Sequence, residues 1–411
     1  MVSPEAILHA ALNETHLVIM AAGVLGVLSI VAGLLSRRIG APVLLAFLAI
    51  GMLCGEDGVL GIQFNDFDIA YLIGSVGLAV ILFAGGLQTP LSMVRLALWP
   101  AVALATVGVA ITTFVVGGCV ALLGGVPLIG ALVAGAAAAP TDAAAVAVLL
   151  PRTGNAVPER VMALLEVESG LNDPMSVFLT FLLLRLLVAP ESVTTLHAAL
   201  SFAEEMGGGL VFGLAAGWLL ALALRRLRLE ASLAMVFALT AALAIFGAAQ
   251  VAGTSGFLAT YVAGVVTAAR APGVREALQA FFEGMAWLAQ IVLFLMLGLL
   301  VTPHDLPPHI PGAVVGAAAL IFLGRPIAVF ACLLPFRYSF REMAFVAWVG
   351  LRGAVPIYLS FIPALVDPLR DSRLFAAIFI VVVVSLVVQG WTVGMVARLL
   401  GFGPRPGAGR A

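Results

Sequence analysis

The sequence predicts an all-α membrane protein: thirteen transmembrane helices in two inverted six-helix repeats, with two broken, crossing helices. Three observations carry this. Of 411 residues, 63% are hydrophobic and 10% charged, against roughly 25% charged in soluble domains, so a soluble fold is excluded. Apolar runs recur along the whole chain at the length a bilayer core demands, about 20 residues for about 30 Å. The basic residues, all 20 of them Arg, are divided unequally between alternate connections. With 21 acidic residues the net charge is −1, which leaves no bulk basic surface for nucleic acid.

The runs cover approximately 17–35, 41–54, 69–87, 96–123, 126–150, 160–188, 206–224, 229–250, 255–269, 281–301, 311–334, 342–362 and 374–397. The second and ninth are short, as tilted or protein-buried segments are. The first sixteen residues hold Glu5 and Glu14 and no Arg. That is the wrong charge for the basic region of a secretory signal, so the first run is expected to be retained. One set of connections holds Arg37, Arg38, Arg95, Arg152, Arg160, Arg225, Arg226, Arg228, Arg270, Arg275, Arg337, Arg341, Arg398, Arg405 and Arg410; the other holds Arg370 and Arg373. Basic residues near span ends favour the cytoplasm. The pattern therefore predicts an odd number of spans in the cell (inner) membrane, with the N-terminus outside and the C-terminus cytoplasmic. Cys54, Cys119 and Cys332 lie far apart in apolar stretches and are expected to be small core residues. His9, His16, His197, His304 and His309 fall in predicted external segments without HxxxH or HExxH spacing, so no metal site and no cofactor is expected.

The fifth run is broken by Ala139-Pro140-Thr141-Asp142 and the twelfth by Gly350-Leu351-Arg352-Gly353-Ala354-Val355-Pro356. With the seventh run as a linker, these are the fifth members of two six-span blocks. Their offset is odd, so the blocks cross the membrane in opposite senses. Paired helix-breaking segments in inverted halves point to the binding site of a secondary transporter. A broken helix exposes a negative carbonyl end and a positive amide end inside the membrane. Thr141 is expected to cap the second half of the fifth run, Asp142 to sit in its first turn beside the amide end, and Arg352 to meet exposed carbonyls.

Acids inside a bilayer are costly and must face a cavity or a partner. The sixth run reads Glu166-Val167-Glu168-Ser169-Gly170-Leu171-Asn172-Asp173-Pro174. Helical spacing puts Ser169, Asn172, Asp173 and Ser176 on one polar face and points Glu168 elsewhere. Pro174 has no amide hydrogen, which frees the Gly170 carbonyl for a cation or water. At about 1.5 Å per residue from Arg160, Glu168 lies roughly 12 Å deep and Asp173 roughly 20 Å. Arg325, counted from the outer end of the eleventh run, falls at the depth of Glu168. The two are read as a structural ion pair, which leaves Asp173 as the titratable acid. Glu166 is expected to line a cytoplasmic vestibule. One carboxylate holds either a proton or a small cation, since either satisfies its charge. Alternating access to it would exchange one proton for one monovalent cation. Two other classes are open at this level: an intramembrane aspartyl hydrolase using Asp142 and Asp173 as a proton-sharing pair, although Asp173 lacks a Gly-x-Gly-Asp context, and a passive channel, for which broken inverted repeats are unsuited.

Pro140-Thr141-Asp142, Glu168-Ser169-Gly170-Leu171-Asn172-Asp173-Pro174, Gly324-Arg325-Pro326 and Gly350-Leu351-Arg352-Gly353-Ala354 together resemble the NhaP-like branch of the monovalent cation:proton antiporters. The resemblance runs over essentially the whole chain. It implies a homodimer whose partners are H⁺, K⁺ or Na⁺ and the lipid bilayer, and a transporter rather than an enzyme. Interface helices would occupy 1–95 and, after a linker, 191–303; a mobile core would occupy 96–190 and 304–399; and 400–411 would be a short cytoplasmic tail. It further implies that Asp173 is the ion and proton carboxylate, with Asn172, Ser169 and Thr141 beside it, and that Glu168 and Arg325 stabilise the fold. Asn172 stands where electrogenic relatives carry a second Asp, which implies electroneutral exchange. The Glu-Ser-Gly-Leu-Asn-Asp-Pro context looks like the potassium/proton members. Ala143, where many sodium exchangers have Pro, and the stop soon after Gly401 depart from the family's usual patterns.

Overall fold

The computed structural model describes residues 4–39, 42–150, 157–366 and 373–402. Arg152, Arg370, Arg405, Arg410 and most of the expected tail lie outside these residues, as do the side chains of His9, Arg37 and Arg38. The described residues form helices and no strands. In chain order these are α1 (Pro4–Ile39), α2 (Val43–Cys54), α3 (Phe67–Gln88), α4 (Leu91–Ala103), α5 (Val109–Gly124), α6 (Leu128–Ala138), α7 (Ala143–Leu149), α8 (Glu159–Val188) and α9 (Thr195–Phe202). They continue with α10 (Gly208–Leu227), α11 (Ala231–Val251), α12 (Gly256–Arg270), α13 (Arg275–Leu300), α14 (Ile310–Ala319), α15 (Arg325–Leu333), α16 (Phe340–Trp348), α17 (Ala354–Leu365) and α18 (Arg373–Leu399).

Single wide π turns, at Leu104–Gly108, Ala203–Gly207 and Leu320–Gly324, join α4 to α5, α9 to α10 and α14 to α15. Counting these joined pairs as one each, nine helices among the described residues are long and apolar enough to cross a membrane. Four shorter apolar helices, α2, α6, α12 and α17, lie between them. Helix α1 starts well before the apolar run predicted from residue 17, because a helix need not end where the hydrocarbon does.

The helices pack in two groups. Helices α4 to α8 pack on one another and with α14 to α18, while α2, α3 and α10 to α13 form the other group. Small residues set the closest approaches. Gly86 of α3 and Gly264 of α12 face each other, as do Gly51 of α2 and Gly298 of α13; a Cβ on Gly264 would stand 3.1 Å from the Gly86 Cα. At the Phe67 end of α3 an aromatic cluster joins the groups. Tyr71 stacks on Tyr358 of α17 at 5.4 Å, Phe67 meets Phe361 at 6.1 Å, and Ser75 Oγ lies 2.9 Å from the Tyr358 hydroxyl. That end is closed by rings. At the other end of α3 the groups separate around a cavity.

Candidate ion-exchange site

The two interruptions touch. Residues 139–142 leave the helix between α6 and α7, and residues 349–353 do so between α16 and α17. Pro140 cannot donate to a helical ladder. The Asp142 amide instead donates to the Leu351 carbonyl of the other break, at 2.8 Å. Gly353 is required at this crossing, since a Cβ there would lie 2.9 Å from Asp142 Cγ. Asp142 itself, not Thr141, is the N-cap of α7: its carboxylate accepts from the Ala145 amide at 3.0 Å. Thr141 is otherwise engaged, because its hydroxyl accepts from Asn172 Nδ2 at 2.7 Å. Arg352 is 1% exposed, and its Nη1 donates to the carbonyls of Ala139 and, at 2.8 Å, Pro140. A guanidinium thus meets the carbonyl end of α6 while a carboxylate meets the amide end of α7.

Helix α8 brings three residues to this crossing. Ser169 Oγ donates to the Thr141 carbonyl at 2.8 Å and accepts from the Ala143 amide at 3.2 Å. Asn172 is fully buried; with its amide nitrogen on Thr141, its Oδ1 has no partner. Asp173 is 9% exposed and its Oδ1 is likewise unpartnered. The same helix carries Glu168 away from this face, to a two-pronged contact with Arg325 Nη1 and Nη2, the latter at 2.9 Å from Oε2. Unpaired oxygens in a buried place are rare in native proteins and call for a ligand, a proton or water.

Asp173 forms part of the wall of a cavity of about 580 Å³ that runs between the two helix groups. Its walls include Leu78, Gln88 and Thr89 on one side and Met162, Glu166, Ser169 and Asp173 on the other, with Glu283 and Trp287 of α13. Glu166, Ser169, Gly170 and Asp173 follow one face of α8, so the cavity tracks that helix from its Arg160 end inward. Four carboxylates, those of Asp142, Glu166, Asp173 and Glu283, and no arginine border it among the described residues. Glu166 faces the cavity and accepts from the Thr89 hydroxyl at 3.1 Å, whose single hydrogen also serves the Gly85 carbonyl at 2.8 Å.

Four contacts of the fold lie beyond what the sequence reading covers, three around the site and one away from it. Tyr261 of α12 packs its ring against Gly170 and places its hydroxyl 3.5 Å from Thr89. Arg160 Nε donates to Glu342 at 2.6 Å, and Glu342 also completes a capping box with Ser339 at the start of α16. Ser385 and Gln389 of α18 hold the second break: Ser385 accepts from the Arg352 amide at 3.2 Å, and Gln389 donates to the Trp348 carbonyl at 2.7 Å. On the opposite end of the molecule Asp57 accepts from the His304 amide at 2.8 Å and faces the imidazole, which holds its carboxyl below the usual carboxylate range. Only the Ser385/Gln389 pair carried a signal, two amphiphilic residues a helical turn apart inside an apolar run. No group of three or more His, Cys, Asp or Glu able to hold a metal occurs among the described residues.

These features define a multi-span membrane protein in which two interrupted helices cross beside a buried, incompletely satisfied acid. The chain belongs to the sodium/hydrogen exchanger family of transmembrane proteins, whose family profile matches residues 26–399. It is 44% identical over 391 residues to the K⁺/H⁺ antiporter NhaP of Alkalimonas amylolytica, covering 95% of this chain and 67% of that protein. It is 42% identical over 378 residues to the K⁺/H⁺ antiporter NhaP2 of Shewanella sp. strain ANA-3, covering 91% and 65%. The chain thus spans about two thirds of the length of these curated relatives. The Na⁺/H⁺ antiporter NhaP of Pseudomonas aeruginosa is 33% identical over 345 residues, covering 78% and 79%. Among solved structures, the sodium proton antiporter MjNhaP1 from Methanocaldococcus jannaschii matches in fold with a TM-score of 0.81, at 23% identity, covering 94% of this chain and all of that one. These relatives are transporters, not enzymes.

Proposed function

We propose that this protein is a secondary transporter of the cell membrane that exchanges one monovalent cation for one proton, electroneutrally, at Asp173. The observation that carries the reading is the position of that carboxylate: it lines the inner part of a cavity whose charged lining residues, among those described, are all acids, with its Oδ1 unpartnered and the Oδ1 of the adjoining residue Asn172 equally so. Those two oxygens, with the freed Gly170 carbonyl, offer a small cation what a proton offers the acid. Ser169 and Thr141 fix the geometry from the crossing. Asp142 and Arg352 compensate the broken helix ends, and Glu168 with Arg325 tie α8 to α15.

K⁺ is the favoured cation, because relatives at 41–44% identity are named K⁺/H⁺ antiporters, and Na⁺ is the second cation to test. The four shorter apolar helices complete thirteen crossings when each of α6 and α17 is counted with the other half of its interrupted span. The π turns Leu104–Gly108 and Leu320–Gly324 then fall in the fourth and eleventh crossings, which correspond in two inverted six-helix repeats. Under this reading the helix group of α4 to α8 and α14 to α18 is the moving core, and the other group is the interface of a homodimer. The cavity is open toward the arginine-rich, cytoplasmic end, and the ring cluster of Tyr71 and Tyr358 is the closed outer gate. Purified protein in vesicles with an imposed pH gradient, challenged separately with K⁺, Na⁺, Rb⁺ and Li⁺, tests this directly: K⁺ dissipates the gradient without generating a membrane potential, and flux that ignores the pH gradient would indicate a channel instead.

A further inference from the structure

Helices α10 and α12 pack side by side in the same direction, and glycine makes this possible. Gly209, Gly213 and Gly217 recur every fourth residue, and each abuts the residue 46 positions on: Ser255, Ala259 and Ala263. A Cβ would stand 2.9 Å from the Ala259 Cα at Gly213 and 2.7 Å from the Ala263 Cα at Gly217. The same register sets Arg270 level with Leu224, so both helices end together in arginines: Arg270 on α12, and Arg225, Arg226 and Arg228 on and just after α10. All four are exposed, and none forms an ion pair among the described residues.

Beside this seam lies a second cavity, an open groove of about 570 Å³. One wall is the face of α10 that carries Val211, Leu214 and Trp218 at helical spacing; the other is Val266 to Arg270 of α12, and Leu91 at the start of α4 closes it. Among the described residues, Arg270 is the sole charged one on its lining. An apolar trough with Val211, Leu214 and Trp218 exposed on its wall, ending at a guanidinium without an ion-pair partner, matches one chemistry: an acyl chain continuing into an anionic phosphate headgroup.

We propose that this groove is a binding site for an anionic phospholipid of the surrounding bilayer, with one acyl chain along Val211, Leu214 and Trp218 and the phosphate held by Arg270. Because Leu91 belongs to one helix group and α10 and α12 to the other, the bound lipid bridges the two groups. The proposal does not depend on which ion is transported.

Trp218 is a built-in reporter, read as the difference between the wild type and Trp218→Phe. The protein is reconstituted in phosphatidylcholine vesicles containing a small fraction of brominated phosphatidylglycerol or, separately, brominated phosphatidylcholine, and quenching of the Trp218 fluorescence is compared. The anionic phosphatidylglycerol is expected to quench about fivefold more effectively, the factor one arginine near an anionic lipid supplies. Arg270→Gln removes the preference and Arg270→Lys keeps most of it. Arg398→Gln, which deletes an exposed arginine on α18, leaves it intact. Equal quenching by both lipids in the wild type, or a preference that survives Arg270→Gln, overturns the proposal. A preference lost equally in Arg398→Gln also overturns it, since that reports bulk attraction rather than a site.

Discussion

Glu168 and Arg325 give the sharpest energetic prediction. Glu168 is fully buried and Arg325 is 5% exposed, so neither charge has water to fall back on. The guanidinium gives Nη1 and Nη2 to the two carboxylate oxygens, its Nε has no partner, and its remaining contact is the Val346 carbonyl at 3.5 Å from Nη2. Replacing Glu168 with Leu therefore strands a buried cation, and replacing Arg325 with Met strands a buried anion; each is expected to cost about 3–5 kcal/mol. The double variant removes both charges and leaves two apolar side chains of similar bulk. Such replacements are often neutral or stabilising by ~1–4 kcal/mol, so the double variant is expected to lie near the wild type, with a coupling energy about equal to the sum of the two single losses, roughly 6–10 kcal/mol. Unfolding of the purified protein in mixed micelles of increasing denaturing detergent, followed by tryptophan fluorescence, measures all four corners of the cycle. A double variant whose loss equals the sum of the single losses would show that the two charges do not support each other, and the reasoning from burial would be wrong.

Three further outcomes follow from the same contacts. Gly170→Ala places a methyl group into the Tyr261 ring, 2.8 Å from Cδ2 with other ring atoms nearer; the expected loss is about 1–3 kcal/mol, recovered in thermal unfolding when Tyr261→Ala is added. Arg352→Leu leaves the Ala139 and Pro140 carbonyls without their donor, at about 1–3 kcal/mol for each buried unsatisfied group, which a drop in the thermal midpoint of the detergent-solubilised protein would report. Asp57→Asn tests the loop contact with His304 through pH: the carboxyl is held below its usual range by the His304 amide and then by the ring, so its contribution is present above the ordinary carboxylate range, near about pH 4, and is lost as pH falls through the lower folded value. The stability difference between wild type and Asp57→Asn should therefore be full at pH 6 and shrink below about pH 4; a difference that grows on acidification contradicts that assignment.

Some of this was legible in the chain because the signals are local. Pro140 and the Gly350/Gly353 pair interrupt apolar runs, and α6 and α7, like α16 and α17, part at those residues. The helical period alone puts Ser169, Asn172 and Asp173 on one face. Depth counted at a fixed rise brought Glu168 and Arg325 to one level, although they are 157 residues apart. What failed was the choice between neighbours. Thr141 and Asp142 are both good N-caps, and the choice fell to Asp142 because Asn172, from another helix, takes the Thr141 hydroxyl. Contacts that need the azimuth of two unrelated helices were out of reach: Thr89 with Glu166, Arg160 with Glu342, and the stacking of Tyr71 on Tyr358. The groove beside Trp218 is of this kind too, since it exists only because the glycines of α10 fix its register on α12.

The central claim is that Asp173 holds a proton or a cation but not both. Purified protein in weakly buffered detergent solution, titrated with K⁺ while a pH indicator is followed, measures this without any assumption about the transport cycle. The expected result is release of about one proton per protomer in the wild type and none in Asp173→Asn, with release retained in Glu166→Gln. Proton release of wild-type size from Asp173→Asn would contradict the account.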